Sequence, residues 1–114
     1  MVQNRGKLME LFIGNISNAI IHSILEKAIA NRGIADWYRK EQINSFDIAK
    51  RYREKINPVK TSLSVKDGRY IKDKIIRRVK GELLIRIEKG YENIDLASVE
   101  IETEGVLRAI GVID

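Results

Sequence analysis

The chain has 114 residues, 21 Lys and Arg against 16 Asp and Glu, a formal net charge of +5, one histidine and no cysteine. That length gives one domain, 1–114, with a small core to which a partner chain would add useful stability. The lack of cysteine excludes disulfides, thiolate metal ligands and a cysteine nucleophile, and one histidine leaves any metal to carboxylates, so neither metal nor cofactor is expected.

The hydrophobic share of 44% and charged share of 32% are those of a globular chain rather than a disordered one. No stretch reads as an apolar run able to cross a bilayer, and "MVQNRGKLMELF" lacks the layout of a signal peptide. The expectation is a cytoplasmic protein with no membrane partner. Nineteen isoleucines and only two glutamines, among many Lys, Arg and Glu, resemble a heat-adapted composition, which is an ordinary source of surface charge. That charge is uneven. Residues 32–90 carry seventeen basic and eight acidic side chains, and residues 91–114 one basic and six acidic. A basic middle with an acidic end fits either an anionic partner or an end packed against the middle of the same or a neighbouring chain.

In chain order, the first element is a long helix near 5–31. Leu8, Phe12, Ile16, Ile20, Ile24 and Ala28 recur every four residues, with Met9, Ile13, Ile21, Leu25 and Ile29 beside them. A surface helix needs one apolar stripe, whereas this one is apolar around most of its girth. It is expected at the centre of the fold or shared between subunits. Phe12, Ile13, Ile16, Ile20, Ile21 and Ile24 are the candidate interface of a homo-oligomer. Asn31-Arg32-Gly33 reads as its end. A short turn around 36–42 follows, then a second helix near 45–56 capped by Asn44 or Ser45. Pro58 should end that helix near Asn57. A third helix near 65–89 starts at Ser64, with Asp67 three residues on, and stops at Gly90. Gly81 lies inside it, where glycine costs about 1 kcal/mol against alanine, so a close helix crossing would account for it. The last segment, near 95–110, reads as a helix capped by Asp95, although "SVEIETE" alternates as a half-buried strand would. The fold class is all-α, a small bundle of about four helices around a long N-terminal one.

Two constellations bear on function. "GRYIKDKIIRRVKGELLIRIEKG", residues 68–90, carries eight Lys or Arg and three Asp or Glu. On helices, Arg69, Lys72, Arg77 and Lys80, bordered by Lys74 and Arg78, join Lys50, Arg51 and Arg53 as candidate contacts to DNA or RNA phosphates, without base specificity. No helix-turn-helix, RNP-type strand or zinc finger supports a named class of binder. The competing reading is a helical interaction or assembly subunit whose basic face meets an acidic protein surface. The second constellation is a polar line, Asn15, Asn18, His22 and Glu26, on one edge of the first helix. His22 with Glu26 would suit proton transfer in a hydrolase or nuclease, but no third positioned group or catalytic motif accompanies them, so no catalytic residue is assigned and a non-enzymatic protein is expected. Small residues at 14, 17 and 19 in "GNISNA" let another backbone come close, either in a self-associating bundle or in ordinary packing within the chain.

Overall fold

The computed structural model describes residues 4–57 and 63–113, and among them every regular element is a helix. There are four: α1 (Arg5–Ala28), α2 (Arg32–Ile56), α3 (Val65–Glu88) and α4 (Ser98–Ala109). The bundle measures 43 × 24 × 23 Å. Its long axis fits helices of 24 residues, each about 36 Å long.

Each boundary has a local cause. Asn4 accepts from the Gly6 N–H to start α1, and Ser64 Oγ accepts from the Asp67 N–H to start α3. Asn31, expected at the end of α1, instead starts α2 by accepting from the Ile34 N–H. Asparagine suits either role, and only the chain direction decides. The expected turn at 36–42 and the cap at Asn44 or Ser45 are absent, because the buried positions Tyr38, Ser45, Ala49, Arg53 and Ile56 form one face of an uninterrupted α2. The strand alternative for 98–104 gives way to α4, which begins three residues after Asp95. Asp95 still organises the entry, accepting from the Ala97 N–H through Oδ1 and from Ser98 through its carbonyl. α3 and α4 both close with paired backbone hydrogen bonds around a glycine of positive φ, Gly90 (100°) and Gly111 (74°). Pro58, expected to end α2 near Asn57, lies outside the described residues.

Arg5 bonds Asp67, and Tyr70 bonds Glu10, so α1 and α3 start together and run parallel. Lys27 near the end of α1 meets Glu102 near the start of α4, which runs the other way. His22 packs against Trp37 and Tyr38, so α2 is also antiparallel to α1. α1 packs against all three other helices, and α3 packs on α4. The bodies of α2 and α3 do not touch.

This arrangement explains the girth of α1. Phe12, Ile13, Ile16, Ile20, Ile21 and Ile24 are all buried inside the single chain, against Ile71, Ile75, Val79 and Leu83 of α3, Val99 and Leu107 of α4, and the inner face of α2. The six residues expected at an oligomer interface are therefore core residues of one copy. α1 is also long and apolar enough to span a membrane by length and composition, contrary to the sequence expectation, but 61% of its apolar window is buried by the other helices.

Candidate docking face on helix α3

The cations of α3 fall into two rows. The first row faces α4. Lys72 Nζ donates to Glu104 at 2.6 Å and Lys80 Nζ to Glu100 at 3.2 Å. Lys72 holds the Glu104 carboxyl below its ordinary pKa, through the hydrogen bond first and its charge second. With Lys27 on Glu102, each acid of the alternating trio has its own cation. The trio therefore splays around α4, and no metal-holding cluster occurs among the described residues. The acidic end of the chain thus packs against its own basic middle, and Lys72 and Lys80 are committed within the molecule.

The second row lies off the flank that faces α4, with Arg78 turned toward α1. Lys66, Arg69, Lys74, Arg77 and Arg78 are exposed and have no ion pair among the described residues. Lys74 Nζ lies 5.7 Å from the centre of the exposed Tyr70 ring. Gly14 gives Arg78 its place: a methyl group there would come within 3.2 Å of Nη1. The small residue of "GNISNA" therefore admits a side chain from α3.

Along α3 the same outward face changes character. Tyr70, Arg77, Gly81, Leu84 and Glu88 are spaced by seven, four, three and four, which places them on one stripe, and all are exposed. Tyr70 is 43% and Leu84 48% accessible, and Ile87 beside them is 38%. The N-terminal half of the stripe is bordered mostly by cations, with the exposed Asp73 among them. Its C-terminal half is apolar with an acid, Glu88, and the chain beyond continues with Glu92 and Asp95. A methyl group added at Gly81 would meet nothing within 4 Å beyond its own stretch of helix. The close crossing expected at Gly81 is not found among the described residues.

The α2 candidates lie elsewhere. Lys50 pairs with Asp47 at 3.5 Å and sits over the Phe46 ring, and Arg51 is exposed. Arg53 is only 5% accessible. Its guanidinium donates to Asn57 Oδ1 at 2.6 Å and to the Gly111 carbonyl at 3.0 Å, tying the end of α2 to the turn after α4. Arg53 is thus a structural residue rather than a phosphate contact. Since α2 and α3 do not touch, the seven cations proposed from sequence do not form one surface.

The polar line of α1 gathers no catalytic set. Asn15 donates back to the Leu11 carbonyl, and Asn18 is exposed. What touches the His22 imidazole are the rings of Tyr38, 5.5 Å away, and Trp37, 6.1 Å away. Its Nδ1 is buried with no hydrogen-bond partner among the described residues. Burial lowers the His22 pKa from its ordinary value; Glu41 opposes this and Arg86 adds to it. These surroundings favour a neutral histidine packed among aromatics.

The signal for two rows was present in sequence. Lys72, Ile76 and Lys80 recur every four residues beside the buried row Ile71, Ile75 and Val79, which marks the flank that α4 covers. Nothing in sequence marked Arg53 as buried, because its partners are an asparagine one turn on and a carbonyl fifty-eight residues away. Comparison with known proteins finds no family model, curated protein or solved structure that matches this chain.

Proposed function

We propose that the protein is a non-enzymatic helical interaction subunit and that the outward face of α3 is its docking surface for another protein. The observation that carries this reading is the mixed character of the stripe. Cations without an ion pair predominate in one half, with the exposed Asp73 among them, Glu88 beside Lys89 lies in the other, and Tyr70, Leu84 and Ile87 lie exposed between and beside them. A polyanion favours one sign of charge along its whole track. A protein surface, by contrast, matches apolar residues and both signs together.

The nucleic-acid reading keeps one specific support, the five unpaired cations Lys66, Arg69, Lys74, Arg77 and Arg78. On that reading single-stranded RNA or DNA lies on the N-terminal half of α3, and the log of affinity falls with log salt with a slope of about −3.5 for five neutralised phosphates.

One experiment separates them. A photo-crosslinking residue is placed at Tyr70 or Leu84 in the expressed chain, with Ile101, 75% accessible on α4, as control. Protease-sensitive adducts at 70 and 84, absent at 101, support protein docking. Nuclease-sensitive adducts support the second reading. Adducts no more abundant than at the control refute both.

A further inference from the structure

Gly81 in α3, like Gly105 in α4, is an exposed glycine inside a helix with open space around it. An exposed glycine inside a helix is about 1 kcal/mol worse than alanine, and no close approach within the chain calls for it. Gly81 also sits between a half in which Lys74 and Arg77 stand with Asp73 and a half in which Leu84 and Glu88 are followed by Lys89. Reversal of character about one small residue is the pattern of a helix that meets its own antiparallel copy. Each half then faces the half it complements, and the missing side chain lets the backbones approach at the crossing.

Resting on the docking reading above, we infer that the partner of α3 is a second copy of this chain, its α3 antiparallel and crossing at Gly81. The register follows from counting. Lys74 and Glu88 stand seven residues on either side of Gly81. A two-fold axis at Gly81 sets Lys74 of each copy against Glu88 of the other. Neither residue has an ion pair within the chain among the described residues. Leu84 lies three residues from the axis and Arg77 four, so each copy's Leu84 packs against the aliphatic stem of the other's Arg77. The overlap runs from Lys74 to Glu88, about 22 Å of helix. Such a contact is isologous and closes at the dimer. The oligomer expected from sequence through α1 is thereby relocated to α3.

The test is sedimentation velocity on the full chain from about 5 to about 500 µM, a range that spans the occupancy change of a modest interface. The expected result is a reversible equilibrium that reaches twice the chain mass and goes no further. Gly81→Leu weakens dimerisation about tenfold or more. Its dilute melting temperature does not fall, because leucine is the better helix former at an exposed site. Lys74→Glu and Glu88→Lys each weaken the dimer, and the two together restore it. A wild-type chain that stays monomeric overturns the inference, as does a Gly81→Leu chain that dimerises like wild type, or a charge swap without rescue. If the chain is monomeric while Tyr70 crosslinks to a different protein, this inference falls and the docking reading stands. If no adduct exceeds the Ile101 control, both fall.

Discussion

Arg53→Ala tests whether a buried guanidinium holds one end of the bundle together. Arg53 is 5% accessible and donates to Asn57 Oδ1 and to the Gly111 carbonyl, so it joins the end of α2 to the turn after α4. Hydrogen bonds from a charged donor contribute about 1.5–3 kcal/mol each. Removing the arginine also ends the cost of desolvating its charge, and water replaces part of what is lost. The expected net loss is about 2–4 kcal/mol. A chain of 114 residues unfolds with an entropy of about 0.24 kcal/mol/K, so the melting temperature should fall by about 8–17 °C. Arg51→Ala, two residues earlier and exposed, is the matched control and should stay within about 0.5 kcal/mol of wild type. Guanidinium titrations followed by helical circular dichroism would give both values. If the two variants are equally stable, the tie from α2 to the last turn is not structural, and Arg53 returns to the set of cations available to a partner.

Three other outcomes are expected. Gly68→Val should destabilise the chain and loosen its last residues, because a side chain there meets the Val112 carbonyl at 3.1 Å and Ile113 at 3.2 Å; faster amide exchange at 112–113 is the readout. His22 has a lowered folded pKa, so below its unfolded value of 6.5 the unfolded chain binds more protons. Stability should therefore rise as pH increases toward and through 6.5, and His22→Asn should flatten that rise in denaturant midpoints. Asp67 is held below its ordinary 3.8, chiefly by its hydrogen bond from Arg5. Its contribution is present above pH 3.8 and disappears as pH falls through the folded value, so Asp67→Asn should lose less stability on acidification than wild type.

How far the sequence foretold this molecule depends on how local each cause is. The four-residue recurrence from Leu8 to Ala28, the Ser64 cap and the stop at Gly90 act within one or two turns, and all three stand in the structure. Asn31 and Asn44 show the opposite case. Both carry cap chemistry, yet the first begins α2 and the second lies inside it, because burial of one continuous face overrides a local alternative. The candidate site divided in the same way. Helical spacing gave the cations of α3, but which of them α4 would neutralise depended on packing between residues twenty to thirty-two apart in sequence. His22 and Glu26 share a helix edge as expected, but only the fold reveals that the imidazole rests against Trp37 and Tyr38.

The hub position of α1 has a consequence for how the molecule comes apart. α2 rests on α1, with Arg53 as its tie to the far side, whereas α3 and α4 also support each other. α2 covers α1 more extensively than either other helix does, with Tyr38, Ala49 and Ile56 in the shared core, so opening α2 breaks that core rather than sparing it. α1 and α2 therefore open as one cooperative unit, and amide exchange should find their protection lost together.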